Sequence, residues 1–175
     1  MSVPLHLPDL RVTDLARLPK PDPVPATSTT IAGLSGLVGT HLGYTSWHVI
    51  TQAQVDSFAE ATRDDQWIHV DVERAKAGPF GGTIAHGFLT LSLAPVLLDE
   101  VLRVDDASRT INYGLDRVRF PAPVPVGSRV RLGVELSSLE QVAGGVQAAF
   151  ALVFELEGRD KPCCVGELLL RFVRD

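Results

Sequence analysis

The sequence has little cysteine and no grouping of residues typical of a metal centre. Its two cysteines, Cys163 and Cys164, are adjacent in a chain of 175 residues. Adjacent cysteines form neither a disulfide framework nor the Cys-x-x-Cys spacing of a zinc site. Among the five histidines, His41 and His48 lie seven positions apart, and no cluster of cysteines or carboxylates accompanies them. We therefore expect a cytoplasmic protein that holds no metal.

Long apolar runs and runs of basic residues are missing as well. The most apolar stretch, residues 84–102, is interrupted by five polar or charged residues, whereas a membrane-spanning helix needs about 20 predominantly apolar ones. The N-terminus lacks the basic region and apolar core of a secretory signal. The net charge of −5 provides no basic surface for nucleic acid. A membrane-spanning, secreted or nucleic-acid-binding protein is therefore not expected.

The composition is that of a single globular domain preceded by a proline-rich arm. Hydrophobic residues make up 45% of the chain and charged residues 21%, which is typical of a protein with a sizeable core. Half of the twelve prolines lie within residues 1–30. We expect residues 1–30, with a short helix over Val12–Leu18, to pack across the domain or a partner subunit, or to be disordered. Residues 31–175 are expected to form the domain.

Helical signals dominate the first half of that domain. Thr51 followed by Gln54 is a capping-box signal, and it predicts a helix that continues to about Thr62. Residues 63–67 then form a loop, and Asp71 is expected to cap a second short helix that runs as far as Lys76. A third helix, Ala85–Leu102, is apolar almost all round and is expected to be buried and kinked at Pro95.

Strand signals dominate the second half. Apolar and polar residues alternate over Arg129–Leu136 and again over Val146–Leu156, and Gly144 and Gly145 between them indicate a hairpin turn. Further strands are predicted over Cys163–Val173 and Thr110–Phe120. The pattern therefore predicts one long buried helix followed by an antiparallel meander.

The candidate chemistry lies between the two kinds of structure. Asp64 and His69 are five positions apart in the segment after the first helix, and His86-Gly87 opens the apolar helix. A carboxylate and an imidazole near a helix N-terminus can move protons beside a carbonyl group, which indicates an enzyme.

Two motifs in this region resemble those of the MaoC-like, or hydratase 2, family. Residues Arg63–Asp71 read R-D-D-Q-W-I-H-V-D, against a family pattern of G-D-x-N-P-x-H-x-D, and Gly82–Gly87 reads G-T-I-A-H-G, against G-x-I-x-H-G. The differences are Arg63, Gln66 and Trp67, and the variant is similar to the branch that includes nodulation protein N. The resemblance implies an α+β hot-dog fold, with a curved antiparallel sheet wrapped around one long central helix.

The resemblance also implies roles for individual residues. Asp64 and His69 correspond to the catalytic acid and histidine, Gln66 takes the place of the amide that positions water, and the Gly87 N–H polarises a thioester carbonyl. Four further residues are expected to contact the substrate: Gly82, His86, Phe88 and Trp67. For His86 a structural role at the helix start is an alternative, and Trp67 can equally pack over the loop.

The implied activity is that of an (R)-specific enoyl-CoA hydratase, equivalently a 3-hydroxyacyl-thioester dehydratase. The substrate is an acyl thioester of coenzyme A or of acyl carrier protein, no cofactor is expected, and a homodimer with its acyl tunnel near the interface is implied. Two alternatives remain open, namely a hot-dog acyl-CoA thioesterase and a non-catalytic acyl-thioester-binding protein.

Overall fold

The structure, a computed structural model, describes residues 26–174. The predictions for most of the N-terminal arm, including the Val12–Leu18 helix, lie outside these residues. The described part contains eight strands and five α-helices. The strands are β1 (Thr27–Thr29), β2 (Thr40–Tyr44), β3 (His48–Val49), β4 (Leu102–Val104), β5 (Arg109–Arg119), β6 (Arg129–Val142), β7 (Gly145–Leu156) and β8 (Cys164–Val173). The helices are α1 (Gln52–Thr62), α2 (Trp67–Val70), α3 (Val72–Lys76), α4 (Gly87–Ser92) and α5 (Ala94–Leu98), and a 3-10 helix covers Gly33–Leu37.

Six strands form one antiparallel sheet. Its order is β2-β6-β7-β8-β5, and β3 pairs with the first residues of β6. The β6–β7 hairpin is paired from Val130 with Leu156 to Val142 with Gly145, and it turns through Gly144, whose φ is 78°. A positive φ is readily adopted by glycine, which explains the turn signal at this position. The predicted antiparallel meander is therefore confirmed.

The apolar side chains that alternate along β6 face the helices α4 and α5. Val130, Leu132, Val134 and Leu136 are fully buried and belong to one core cluster with residues of both helices. The sheet therefore covers the two helices, as the apolar character of that segment predicts. Within residues 26–174, no helix is long and apolar enough to cross a membrane.

The single helix predicted over Ala85–Leu102 is wrong in its extent. The segment forms α4 and α5, which are separated at Leu93, and its last residue already belongs to β4. Pro95 has no N–H for the Leu91 carbonyl, and at the junction the Leu93 N–H donates to the Thr90 carbonyl at 3.3 Å, a three-residue step. The kink expected at Pro95 thus takes the form of a break between two short helices. Strand β4 pairs in parallel with β1, which ends the helical segment early.

The helix before the candidate site begins as predicted. The Thr51 hydroxyl accepts from the Gln54 N–H, and the Gln54 side chain accepts from the Thr51 N–H at 2.8 Å, which completes the capping box. Asp71 caps α3 by accepting from the Arg74 N–H at 3.0 Å. Helix α2 was not predicted, because its four residues are too few to show a helical period.

Candidate active site

The loop after α1 carries the first predicted catalytic residue. Arg63 ends α1 in a left-handed conformation with a φ of 65°, and its N–H donates to the Ala59 carbonyl at 2.8 Å. The motif has glycine at this position, and glycine adopts a positive φ at least cost. The turn at Arg63 takes the chain away from the axis of α1. Asp64 follows directly and is exposed.

His69 is buried on α2, with 7% of its surface exposed. Its Nδ1 lies 2.7 Å from the Ile84 carbonyl oxygen. A carbonyl can only accept, so Nδ1 carries the proton and the lone pair of the neutral ring is on Nε2. Burial lowers the pKa of His69; the hydrogen bond to Ile84 and the charge of Asp64 oppose this effect, and the neighbouring His86 adds to it. The net effect favours the neutral ring, which is the form that acts as a base.

His86 is even more deeply buried, with 2% of its surface exposed, and it immediately precedes α4. Its Nε2 lies 2.9 Å from the main-chain oxygen of Asp64. Its ring stacks on that of His69, with the centroids 3.8 Å apart and the planes 27° from parallel. The sequence analysis gives His86 as a substrate-binding candidate. In the structure its ring contacts the two catalytic candidates, Asp64 and His69.

Asp64, His69 and His86 form a compact group, which we name the histidine cluster. One carboxylate oxygen of Asp64 and one ring nitrogen from each histidine lie within 4.8 Å of one another. Two of the three side chains are buried, while Asp64 is exposed. The carboxylate and the His69 imidazole are thus close enough to share one water molecule that enters from the exposed side.

Gly87 is the first residue of α4, so its N–H belongs to the turn that the helix itself leaves unpaired. A Cβ at this position would lie 2.9 Å from Cγ of Phe120 and 3.0 Å from both Cδ atoms. The Phe120 ring therefore lies directly against the glycine, and a side chain would displace it. Gly87 allows the close packing and also leaves its N–H free of a shielding side chain.

The other predicted residues are distributed around this group. Gln66 is exposed at the start of α2, and its carbonyl accepts from the His69 N–H at 2.9 Å. Phe88 is 67% exposed, with its ring 5.9 Å from that of Phe120. The Trp67 ring packs against Arg74 of α3, whose guanidinium carbon lies 4.4 Å from the ring centroid. Gly82 is partly buried.

Two groups that contribute to the site were not predicted from the sequence, namely the Phe120 ring and the Ile84 carbonyl. Phe120 is the last residue of the predicted strand Thr110–Phe120, directly before a proline-rich segment, and the strand pattern does not indicate that its ring would lie against Gly87. Ile84 belongs to the G-T-I-A-H-G motif, but its carbonyl acts through the main chain. The Ile84 N–H donates to the Ile68 carbonyl at 3.0 Å, which brings the motif alongside α2. Only the position of Ile84 within the motif could have indicated a role.

Residues 34–152 match the protein family described as the MaoC like domain. The chain belongs to this family. The 3-hydroxyacyl-thioester dehydratase Z of Mycobacterium tuberculosis is 51% identical to this MaoC-like chain over 148 residues, which cover 84% of the chain and 98% of the relative. Nodulation protein N of Rhizobium meliloti is 44% identical over 136 residues, or 76% of the chain and 84% of the relative. The family and branch predicted from the two motifs are therefore confirmed.

Solved structures of hydratases share the fold of the MaoC-like chain. The (R)-hydratase from A. caviae involved in PHA biosynthesis is 25% identical, covers 77% of this chain and 96% of its own, and superposes with a TM-score of 0.64. The R-hydratase of Pseudomonas aeruginosa in its unliganded form is 23% identical, with coverages of 79% and 83% and a TM-score of 0.64. The predicted hot-dog fold is confirmed.

Proposed function

We propose that the protein is an (R)-specific enoyl-CoA hydratase, or 3-hydroxyacyl-thioester dehydratase, with Asp64 and His69 as its acid-base pair. The observation that carries this proposal is the histidine cluster beside the Gly87 N–H. In support, a carboxylate and a neutral imidazole with a free Nε2 lie close together, and the first N–H of α4 directly follows His86 in the chain. The names of the relatives, which are dehydratases and hydratases, support the same class of reaction.

In the direction of hydration, a water molecule lies between Asp64 and His69. One of its protons passes to the pair as its oxygen forms a bond to C3 of the trans-2-enoyl thioester. The C2–C3 π electrons then move toward the thioester carbonyl, and one proton returns from the pair to C2. The pair ends in its starting charge state, so each turnover is balanced without a cofactor. Dehydration follows the same path in reverse.

The thioester oxygen gains negative charge during this step. The Gly87 N–H is the proposed donor to that oxygen, because it lies in the first turn of α4, where the helix supplies no partner, and glycine has no side chain of its own to shield it. Gln66, which is exposed one residue before α2, is the proposed group that positions the water. Removing a single donor to a developing oxyanion, as proposed for the Gly87 N–H, typically lowers kcat by about 10²- to 10³-fold.

An apolar cavity next to Gly87 is the proposed place for the acyl chain. It has a volume of about 430 Å³ and lies between α4, the start of α5 and strand β5. Phe88 contributes to its lining, together with Leu91, Tyr113 and Leu168. Because Phe88 directly follows the oxyanion donor, a chain bound here would extend away from a carbonyl held at Gly87.

The same region supports a homodimer. Strand β5 is the last strand of the sheet and has an unpaired edge among the described residues. Its apolar residues Ile111, Tyr113 and Leu115 are exposed, as is Val96 on α5. A second copy that pairs along β5 would cover both the edge and these side chains. Light scattering at micromolar protein should give twice the chain mass, and Leu115→Lys should reduce it; a monomer mass for the unaltered chain would contradict the dimer.

A cytoplasmic location without a cofactor completes the proposal. Cys163 and Cys164 are free and buried, and burial raises the pKa of each thiol to about 12. Such thiols are poorly reactive and form no structural bridge, which suits a reducing compartment.

Crotonyl-CoA separates the proposed activity from its two rivals in one assay. Hydration removes the enoyl absorbance without releasing free thiol, and chiral analysis of the product should give the (R)-3-hydroxy thioester. A thioesterase would release thiol, and a binding protein would change neither signal. Thiol release, an (S) product or an unchanged enoyl absorbance would contradict the proposal.

A further inference from the structure

His86 has no part in the proton transfers proposed above, although it contacts both groups that perform them. Its Nε2 faces the Asp64 carbonyl at 2.9 Å and its ring stacks on His69 at 3.8 Å. The His86 ring also packs against the ring of Phe58, with the two centroids 5.0 Å apart. A ring held in this way and 2% exposed has no surface to offer to a substrate.

The contact with Asp64 fixes a short loop that has few other anchors. Since the Asp64 carbonyl can only accept, Nε2 of His86 carries the proton and donates it. The other hydrogen bond described for Asp64 is a long one, from its N–H to the Thr62 hydroxyl at 3.4 Å. The His86 bond is therefore the shorter of the two that hold the catalytic carboxylate at its place in the chain.

The contact with His69 fixes the face of the catalytic imidazole. The Ile84 carbonyl holds one edge of the His69 ring through Nδ1, but a hydrogen bond at one atom leaves the ring free to tilt. The stacked His86 ring restrains that tilt, since the two planes are only 27° from parallel. One side chain thus acts on the position of both members of the pair.

We infer that His86 is a positioning residue that sets the distance and orientation between Asp64 and His69. This inference rests on the proposed function, because it concerns the geometry of the proposed acid-base pair. Misplacing a catalytic group by about 1 Å can cost 10²-fold in rate. His86 therefore affects kcat while leaving the affinity for substrate nearly unchanged.

Two substitutions separate the two contacts. His86→Gln carries an amide N–H near the position of Nε2 and can still donate to Asp64, but it removes the stacked ring. His86→Phe keeps a ring against His69 and removes the donor. With crotonyl-CoA, His86→Phe should lower kcat by about 10- to 10²-fold and leave KM within about threefold of normal. His86→Gln, which keeps the donor to Asp64, should lower kcat by less than His86→Phe does.

The pH profile provides a readout that a merely structural role would not move. The groups that act on the His69 ring are His86, which lowers its pKa, and Asp64 and the Ile84 carbonyl, which raise it. Replacing His86 by Gln or Phe removes its lowering effect and should raise the pKa of His69. Activity that requires neutral His69 is lost as pH falls through that pKa, so the acidic limb of kcat/KM should move to higher pH in both variants. NMR titration of the His69 ring should show the same direction without any assay of turnover.

His41→Phe is the matched control, because the His41 ring also packs against an aromatic ring, that of Tyr44 at 4.9 Å, and has no described contact with the histidine cluster. It should leave kcat and the acidic limb unchanged. A His86→Phe enzyme with normal kcat, or with raised KM alone, would overturn the inference. If the unaltered protein does not hydrate crotonyl-CoA, the proposed function fails instead, and the His69 titration still tests the His86 contact.

Discussion

Two groups of buried polar side chains lie in different parts of the molecule, and they are built in opposite ways. The first is the histidine cluster. The second, which we name the ion-pair cluster, consists of Arg131, Glu155, Tyr44 and Trp47 on the face of the sheet turned away from the helices. Arg131 and Glu155 are 3% and 6% exposed and face each other across strands β6 and β7.

Every charge of the ion-pair cluster is matched within it. Nε and Nη2 of Arg131 both reach the Glu155 carboxylate at 2.8 Å. The Arg131 guanidinium also lies over the rings of Tyr44, at 4.2 Å, and Trp47, at 4.8 Å. The arrangement stabilises the buried ions by pairing and by cation–π contact.

The histidine cluster, by contrast, keeps reactive atoms uncommitted. Nε2 of His69 has a free lone pair, and the carboxylate of Asp64 faces solvent. The hydrogen bonds from His69 to Ile84 and from His86 to Asp64 orient these residues and do not involve the reactive atoms. The comparison teaches that burial of polar groups alone does not mark a catalytic site. What marks it is burial in which the neighbours orient a side chain without neutralising its reactive atom.

The largest effect on activity should follow from changing the acid-base pair. Asp64→Asn removes the carboxylate, and His69→Asn removes Nε2 but keeps an amide N–H near the position that donates to Ile84. Each should lower kcat by about 10²- to 10⁴-fold. Because both groups act on one water, the double variant should cost little more than the worse single one. Turnover of crotonyl-CoA measures this.

Asp65→Asn is the matched control for that experiment. Asp65 is the neighbouring exposed carboxylate, and its removal should leave kcat within about threefold of normal, as for a solvated charge. Normal hydration by a folded Asp64→Asn protein would contradict the mechanism. An inactive Asp65→Asn protein would show that the other carboxylate is the catalytic one.

The ion-pair cluster should respond in stability and hardly at all in activity. Glu155→Gln leaves the Arg131 charge buried without its partner, and breaking a buried pair in this way typically costs about 3–5 kcal/mol. For a protein of this size the melting temperature falls by roughly 2–4 °C per kcal/mol. The kcat of the folded fraction should remain normal.

An exposed pair two residues along from the buried one, at the start of β6 and just after the end of β7, serves as control. Arg129 and Glu157 are hydrogen-bonded but partly solvated, so Glu157→Gln should change the free energy of unfolding by at most about 1 kcal/mol. Equal melting temperatures for Glu155→Gln and Glu157→Gln would show that burial of the inner pair has no energetic consequence. A selective loss of kcat in Glu155→Gln would remove the contrast between the two clusters.

The sequence predicts features that depend on a few neighbouring residues, but it does not predict contacts between distant segments. The Thr51 capping box, the Gly144 turn and the alternation along β6 each act within a few residues, and each was found as predicted. The catalytic candidates Asp64 and His69 were identified from a motif. In contrast, the stacking of His86 on His69 depends on a loop path over 17 positions, which no periodicity describes.

The helix α4 shows the same limit. The apolar character of its segment correctly predicts burial, but the kink expected at Pro95 is a break that divides the segment into α4 and α5. The contact of Phe120 with Gly87 joins residues 33 positions apart. The sequence indicates that a glycine is present, but only the packed structure shows which ring requires it.

Gly87→Ala should have an intermediate effect. The added Cβ would lie within 3.0 Å of three atoms of the Phe120 ring, so the ring or α4 must move. Alanine favours helix by about 1 kcal/mol over glycine, which offsets part of the strain in stability. We expect kcat to fall by about tenfold because the N–H is displaced, with partial recovery in the Gly87→Ala, Phe120→Leu double variant.

Gly36→Ala is the control for this substitution, since Gly36 lies in the 3-10 helix and a Cβ there would meet no atom within 4 Å. Its kcat should be unchanged. A Gly87→Ala enzyme with normal kcat would show that neither the packing against Phe120 nor the exact place of the N–H matters to the reaction.

The smallest effect should come from removing metal ions, and it tests whether the histidine cluster is an acid-base site or a metal site. Its three potential ligand atoms lie within 4.8 Å of one another, close enough to attract a cation. The ring nitrogen lone pairs, however, lie in planes that are only 27° apart in stacked rings. Lone pairs in nearly parallel planes do not converge on one ion, as a tetrahedral site would require.

Binding an ion through both histidines would therefore require the stack to open. Prolonged treatment with a chelator should change kcat for crotonyl-CoA by less than about twofold, because the proposed proton transfers use only the side chains. Added Zn²⁺ should not stimulate the treated enzyme. Activity that disappears with the chelator and returns with a divalent ion would assign the carboxylate and the imidazoles to a metal and replace the acid-base mechanism.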